Sequence, residues 1–459
     1  MNNETPTPTL FDEVHGGKSL IIIGSGPGGY RAADYAAKQG LQVTVIEDGY
    51  AGGTCLNCGC IPTKSLCHDA SLEGKRTLAE AIERKQQVTE QLRQGVETLM
   101  SQPGITFVHG KGRFKDVHTI EVCSGNDDTV TDTLTADNII IATGSSAKML
   151  PIEGLDLPNV VTSTELLDVK EVPEHLCIVG AGVIGMEFAS IFNAFGAQVT
   201  VVEYLKECLP ATDSDLAKRL RKALEKRGVE FFMQSAVKKI TTEGVVFERK
   251  GKEQTVGADL VLMATGRKPN IEGLNLEAAG ISYDRAGIKV NPETMQVIAD
   301  KEQPTVIPHI YAIGDVNGQM MLAHAATFQG FRAVNHILCH ADRIRLDIMP
   351  AAVFTTPEVA GVGLTEDQCK EKEMAYTCKK GYYRANGKAL AMEETDGLVK
   401  ILTDNSGRII GCHVLGAHAA DLVQEVASLM NLGVTINQLA DIIHTHPTLA
   451  EVLQDTARS

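Results

Sequence analysis

The sequence predicts an α/β chain in which two βαβ nucleotide-binding units precede a smaller α+β domain. Three observations carry that expectation. Glycines at GxGxxG spacing follow a short apolar strand twice, as Gly24, Gly26, Gly29 and as Gly180, Gly182, Gly185. Each triplet opens a helical pattern, and the next strand ends in an acid, Glu47 or Glu203. From Pro350 the pattern changes to alternating strands and two helices, without a third glycine fingerprint. Glycine supplies 43 of 459 residues. Chance alone then gives about 0.4 such triplets per chain, so two in one context are not accidental.

Composition narrows the partners. A net charge of −15 argues against nucleic acid, which needs a basic footprint. No apolar run approaches the ~20 residues of a membrane helix, so no membrane is expected. Residues 1–17 place Glu4, Asp12 and Glu13 ahead of the first cation, Lys18, unlike a secretory signal or a transit peptide. They read as a disordered polar extension. Eleven cysteines, an odd number scattered over a long chain, do not make a secreted disulfide framework. The expected compartment is reducing and cytoplasmic, where a disulfide is catalytic rather than structural.

In chain order, strand Ser19–Gly24, helix Gly28–Gln39 and strand Gln42–Ile46 form the first unit. Its glycines permit a tight turn and let backbone reach a pyrophosphate at the helix N-terminus. Glu47 is placed to accept from a ribose hydroxyl. Ala70–Met100 reads as one long amphipathic helix closed by Pro103-Gly104. Strand-like pieces follow at Ile105–Val108, Arg113–Phe114, Thr119–Val122 and Asn138–Ala142, the last running into Thr143-Gly144.

A new domain starts near Pro151, with strand Leu176–Val179, helix Val183–Phe195 and strand Gln198–Val202. A carboxylate at Glu203 holds the 2′-hydroxyl of NAD and repels a 2′-phosphate, and no arginine follows among Tyr204, Leu205 and Lys206. NAD is therefore expected over NADP. Helix Asp213–Arg227 and strands Glu230–Met233, Val237–Ile240, Gly244–Arg249 and Leu260–Ala264 complete the unit. Thr265-Gly266-Arg267 echoes Ala142-Thr143-Gly144, each after an apolar strand. His309–Val316 reads as a further strand ending in Gly314-Asp315, where Asp315 is either a helix-capping turn residue or a carboxylate over a flavin's ribityl chain. Strands Tyr376–Tyr383, Gly397–Leu402 and Arg408–Leu415 with helices Ala419–Asn431 and Thr435–Ile442 suit an interface role.

The chemistry centres on Gly52–Ser65, GGTCLNCGCIPTKS. Cys55 and Cys60 can close a small-loop disulfide, and a helix running from Gly53-Thr54 through Cys60 would stabilise a thiolate by its dipole. Cys58 adds a third thiol. On one regular helix, residues three apart share a face while residues five apart are separated by about 140°, which favours a Cys55–Cys58 pairing. A metal cluster of Cys55, Cys58, Cys60, Cys67 and His68 matches neither the paired CxxC zinc spacing nor the ferredoxin run, so no metal is expected. A base for thiol chemistry is offered by His446, since Glu451 follows at close range and a carboxylate fixes an imidazole's tautomer. Thr448-Leu449-Ala450-Glu451 also fits a capping box, and a carboxylate has oxygens for both roles.

GGTCLNCGCIPTK, both GxGxxG units, YAIGDV and HPTLAE occur in this order from Lys18 to near the C-terminus. In this set the chain resembles the flavin-dependent disulfide oxidoreductases over essentially its whole length. The resemblance implies two Rossmann-like domains, residues 18–150 for FAD with the redox disulfide and residues 151–280 for NAD. It implies a central domain, 281–347, completing the FAD site, and a C-terminal dimerisation domain, 348–459. Cys55 is implied to exchange with substrate and Cys60 to face the flavin as a thiolate, so the implied pairing is Cys55–Cys60. Cys58 stands where relatives usually carry a non-thiol residue. Lys64 and Glu187 are implied as an ion pair beside the flavin ring. Gly112, Asp315, Met321, Ala323 and His324 are implied FAD contacts, and Val237 and Gly266 are implied on the NAD side. His446 and Glu451 would reach the disulfide from the other subunit of a homodimer. The implied reaction is oxidation of a dihydrolipoyl group on a separate carrier protein, in a 2-oxo-acid dehydrogenase or glycine-cleavage system. The alternatives are a glutathione- or mercuric-type reductase, and a redox-sensing or metal-binding scaffold on a nucleotide fold.

Overall fold

The apolar run Leu20–Ile23 forms β1 (Ser19–Ile23), central to a six-stranded sheet in the computed structural model, which describes residues 18–72, 74–124, 128–299 and 305–459. The extension expected at residues 1–17 lies outside these. The chain folds as two units. Among the described residues, the first contains 18–62, 86–146 and 267–346. In it β1 pairs in parallel with β2 (Gln42–Glu47) on one side and with Asn138–Ile141 on the other. The order across the sheet is Gln296–Ile298, Val306–Ala312, Asn138–Ile141, β1, β2, Ile105–His109. Only the Gln296–Ile298 ladder is antiparallel. A parallel sheet covered on both faces needs near-continuous Ile and Val, and Ile139–Ile141 are fully buried. Helix α1 (Pro27–Lys38) crosses from β1 to β2. It packs closely on Ala323–Ile337, because Gly28 and Gly330 lack side chains: a Cβ on Gly330 would stand 3.1 Å from the Ala32 Cβ.

Three local expectations are overturned. The helix expected through Cys60 is broken into α2 (Gly53–Cys58) and α3 (Cys60–Ser71). The helix expected over Ala70–Met100 is likewise two, since α3 ends at Ser71 and α4 spans Leu78–Met100. Gly74 turns the chain with φ +74, and Arg76 returns to Asp69 at 2.7 Å. Thr77 and Glu80 then make a reciprocal cap, the Thr77 amide donating to Glu80 (2.8 Å) and the Glu80 amide to Thr77 Oγ1 (3.3 Å). Finally, the strand expected at His309–Val316 spans Val306–Ala312 and gives way to a 3₁₀ turn, Gly314–Asn317. Thr129–Thr135 and Lys252–Gly257 are strands without an apolar pattern, absent from the expectation because nearly every residue in them is exposed.

The second unit contains residues 63–85, 147–266 and 347–459. Its parallel sheet repeats the first: β3 (His175–Val179) lies between β4 (Gln198–Val202) and Leu260–Met263, with Glu230–Phe232 and Val160–Val161 at the edges. Helix α5 (Val183–Ala194) follows β3, and α6 (Ser214–Lys226) follows β4. The C-terminal part is an antiparallel sheet ordered Ala351–Val353, Val359–Gly363, Ile409–Leu415, β5 (Leu398–Thr403), Thr377–Tyr382. Helices α7 (Ala419–Asn431) and α8 (Glu451–Arg458) pack on it, Val426 and Leu453 joining Val399 and Ile401 in one core.

Every residue of β5 is buried, including Lys400 at 1% exposure. Its ammonium stands 2.7 Å from both oxygens of Asp213, which caps α6, and 2.7 Å from Glu366. The Lys400 hydrogen bond holds the Glu366 carboxyl down to about 2. That contribution to stability is full above the ordinary carboxylate range and is lost as pH falls through about 2. Removing one member of such a set strands a buried charge. Lys400→Met is expected to cost about 3–5 kcal/mol, read as a lower urea midpoint at unchanged slope. A loss below about 1 kcal/mol would mean that Asp213 recruits water instead.

Candidate active site

Strands β1 and β3 end in the same device. Gly24 has φ +105 and a Cβ position 2.4 Å from the Ala142 carbonyl; Gly180 has φ +108 and lies 2.5 Å from that of Ala264. The third glycines, Gly29 and Gly185, would bring a Cβ within 1.9 and 2.0 Å of the Gly24 and Gly180 carbonyls. Only glycine fits these four positions. The middle glycines differ: nothing lies within 4 Å of a Cβ on Gly26 or Gly182. Both are extended N-caps, of α1 and α5, with no side chain capping the helix. First-turn amides are thus left for an anion beside open space.

The acids match as well. Glu47 accepts from the Ser25 amide and hydroxyl (both 2.7 Å) and from the Gly49 amide (2.8 Å). Glu203 accepts from the Ala181 amide (2.5 Å) and the Leu205 amide (2.7 Å), and is 8% exposed. Each carboxylate is aimed by the amide after the first glycine and by one two residues beyond itself. An open phosphate seat, unfilled donors and an oriented acid fit one dinucleotide per loop.

In the first unit, Thr143 Oγ1 donates to the Asn270 carbonyl (2.8 Å) and Asn270 returns a bond to Thr143 O (3.0 Å), while Gly144 adopts φ +71 facing open space. Asp315 sits in the 3₁₀ turn, but its carboxylate does not cap a helix. It accepts from Ser145 Oγ at 2.5 Å, and that serine oxygen in turn accepts from Arg267 Nε at 2.7 Å. Sequence reasoning missed Ser145 and Arg267 as its supports, although Arg267 lies in the Thr265-Gly266-Arg267 echo. Ala323 and His324 open helix Ala323–Ile337 behind an uncapped Leu322, and Met321 is 36% exposed beside them. Gly112 is explained by packing, since its Cβ would stand 3.0 Å from Ile23 Cγ2. In the second unit, Val237 lies at a bulge in Ser235–Thr241, and Gly266 has φ +99 with open space at its Cβ position.

The redox stretch is built on the first nucleotide loop. Gly52 and Gly53 turn with φ +95 and +60, and a Cβ on Gly53 would stand 2.6 Å from the Gly26 Cα. Helix α2 then runs to Cys58 and stops. Gly59 (φ −140, ψ −115) folds back on the first turn, its Cβ position 2.8 Å from Thr54 O and 3.1 Å from the Cys55 Cα. The chain restarts as α3 at Cys60, so the 140° separation of a regular helix does not apply. Other thiols are quenched by burial: Cys177 is pushed up to about 12, and Cys67, Cys208 and Cys412 are raised further, Cys67 also by the Glu187 carboxylate. Among the described residues, potential metal-ligand atoms converge in a group of three only at Glu174, His175 and Asp259, not in the cysteine stretch.

Lys64, one turn beyond Cys60 on α3, donates to both oxygens of Glu187 at 2.9 Å. Glu187 is buried on α5, accepts also from the Phe354 amide (2.9 Å), and Lys64 lies 5.0 Å over the Phe354 ring.

At the C-terminus Glu451 serves two partners, one with each oxygen. Oε2 accepts from the Thr448 amide (2.8 Å), and Oε1 pairs with His446 Nδ1 (2.9 Å). The Thr448 bond and then the His446 bond hold its carboxyl below the usual range. The Thr448 hydroxyl instead donates to Thr445, and α8 starts at Glu451 itself, so only half of the expected box forms. His446 is 79% exposed, with no hydrogen bond at Nε2 among the described residues. His444 is 5% exposed and spends both nitrogens on Ile442 and Glu425, which makes it structural.

Two dinucleotide loops, one of them in contact with a cysteine-bearing helix, define a nucleotide-dependent disulfide oxidoreductase. The chain belongs to the pyridine nucleotide-disulphide oxidoreductase family, whose model matches residues 18–330, with the family's dimerisation domain at residues 349–457. It is 35% identical to the dihydrolipoyl dehydrogenase of Haloferax volcanii over 98% of both chains. It is 36% identical to that of Bacillus subtilis, over 96% of this chain and 98% of the other. The solved HOCl-induced flavoprotein disulfide reductase from Escherichia coli matches with TM-score 0.85 and 32% identity, over 96% of this chain and 99% of the other. FAD and NAD are the cofactors. No helix among the described residues is long and apolar enough to cross a membrane.

Two glycine variants separate packing from ligand space. Gly26→Ala is expected to fold with wild-type stability as apoprotein but to bind FAD about tenfold or more weakly, a loss of ~1.4 kcal/mol. Gly29→Ala should destabilise the apoprotein itself. Unchanged FAD affinity in Gly26→Ala would remove the phosphate seat from that loop.

Proposed function

We propose that this chain is a dihydrolipoyl dehydrogenase, acting as a homodimer in a reducing, cytoplasmic compartment. It oxidises a dihydrolipoyl group carried by another protein and reduces NAD. The observation that carries this reading is the buried, amide-backed Glu203 in a chain whose relatives along nearly its full length include dihydrolipoyl dehydrogenases. An NADPH-dependent disulfide reductase would have to place a phosphate against that carboxylate. The proposed division of labour is FAD on residues 18–150 with 281–347, NAD on 151–280 and subunit contact through 348–459.

The Gly24–Gly29 loop, Glu47 and Asp315 would hold FAD, and Lys64 and Glu187 keep the ion pair that the resemblance implies. Bound FAD supplies two-electron transfer between the enzyme dithiol and the nicotinamide. The chain's own residues conduct the exchange. The resting pairing is Cys55–Cys60, with Cys58 a bystander. His446 of a second copy takes a proton from one substrate thiol at Nε2, while Glu451 holds Nδ1–H and fixes the tautomer. The substrate thiolate attacks Cys55 Sγ, and Cys60 leaves as a thiolate. The second substrate thiol attacks the substrate sulfur of the mixed disulfide, and its proton passes to the departing Cys55 sulfur. The lipoyl ring closes and Cys55 is released as a thiol. Two electrons and two protons have then left the substrate: the enzyme disulfide is reduced, one proton rests on His446 and one on Cys55, and Cys60 stays a thiolate.

The deciding assay compares dihydrolipoamide with NAD against glutathione disulfide with NADPH. Dihydrolipoamide oxidation should dominate, with kcat/KM at least about tenfold higher for NAD than for NADP, a modest ~1.4 kcal/mol for one misplaced phosphate. Equal rates with NADP would detach Glu203 from the ribose.

His446→Gln should slow dihydrolipoamide oxidation ~10²–10⁴-fold, the range for a lost general base, with FAD content and dimer intact. Near wild-type turnover would reduce the His446–Glu451 pair to a cap.

A further inference from the structure

Asn57 lies between Cys55 and Cys58 on α2 and uses both amide donors and its acceptor within the fold. Nδ2 donates to Ala51 O (3.0 Å) and Gly53 O (2.9 Å), and Oδ1 accepts from Arg93 Nε (2.8 Å). The two carbonyls belong to the left-handed turn that seats α2 on the Gly26 loop. Arg93 reaches Asn57 from α4, thirty-six residues along the chain. Its guanidinium is stacked on the Tyr50 ring at 4.0 Å and touches Glu90 at 3.2 Å. Tyr50 is 65% exposed, so burial does not explain an aromatic ring there; the stacked guanidinium does.

Helix α2 has six residues, one of them buried, and no side-chain cap. A helix that short has no stability of its own and must be held from outside. Asn57 ties its second half to its entry turn, but an amide can rotate by half a turn. The rotated form would set oxygen against the Ala51 and Gly53 carbonyls and NH₂ against the guanidinium. Arg93 permits only the form that holds the turn.

We propose that Arg93, stacked on Tyr50, is a positioning residue for the redox dithiol: through Asn57 it fixes the helix that carries Cys55. Its contacts are with Asn57, Tyr50 and Glu90. Thiol–disulfide exchange needs the attacking, central and leaving sulfurs in line, so looseness in α2 acts directly on the Cys55 sulfur.

The proposal rests on Cys55 being the exchanging thiol of the reading above. The test uses Arg93→Met in the full-length FAD-loaded enzyme. Dihydrolipoamide turnover should fall about tenfold, within the range for misplacement of a reacting group by a fraction of an ångström. KM for NAD should not change. NADH oxidation by a quinone, which does not need the cysteines, should stay within about twofold. Two readouts do not depend on turnover. The long-wavelength absorbance after reduction with dithiothreitol should weaken, and the alkylation rate of Cys55 in the reduced enzyme should change. Lysine at this position supplies neither the planar stack nor the Nε donor, so Arg93→Lys should resemble Arg93→Met. Asn57→Ala should reproduce the defect, and the double variant should be no worse than either single one. Arg93→Met with full absorbance, unchanged alkylation and wild-type turnover would overturn the proposal. Equal loss of the quinone reaction and of thermal stability would also overturn it, by making Arg93 a general structural residue. Should the wild type prefer another dithiol, the substrate assignment falls, while absorbance and alkylation still decide the role of Arg93.

Discussion

One backbone contact governs the first unit: Gly53 rests on Gly26 with no room for a methyl group between them. The glycine that leaves space for a pyrophosphate is thus also the floor on which the cysteine helix stands. Binding and redox geometry are set by the same few atoms. Gly24 and Gly29 lock the loop from below against Ala142 and against each other, and Gly59 folds the far end of α2 back over Cys55. Glycine is required here by contact and, at Gly24 and Gly53, by a positive φ as well. The result is a rigid stack of loop, turn and short helix with little side-chain packing of its own.

The two nucleotide loops agree down to which amides orient the acid, and their differences are informative. Ser25 gives Glu47 a hydroxyl in addition to its amide, while Ala181 gives Glu203 only an amide. Glu203 is the more deeply buried of the two. A buried carboxylate in that setting leaves little tolerance for a second negative group, which is the basis of the nicotinamide preference proposed for this position.

The parts legible in the sequence are those where chemistry and local pattern coincide. Strand, glycine triplet, helix and terminal acid appear twice as read, and helix Ala419–Asn431 has the expected bounds. What escaped depends on backbone conformation or on partners far along the chain. Nothing in LNCGC announces that Gly59 folds back on Thr54, since its neighbours only permit it. The TLAE cap at Thr77 was readable but lay within a continuous helical pattern that hid it. Thr129–Thr135 has no apolar alternation because little of it is buried. Ser145 and Arg267 become visible only when the fold brings residues 145, 267 and 315 together. The hydrogen-bonded pair of His446 and Glu451 was legible because the two are close in sequence.

The Lys400 set has a consequence for modularity. Asp213 begins a helix of the second nucleotide segment, yet its counter-charge comes from an inner strand of the C-terminal sheet. A chimera that exchanged residues 147–266 for those of a relative would therefore import a helix cap whose partner lies outside the graft. The transplantable module is discontinuous in sequence, and its natural seam includes strand β5.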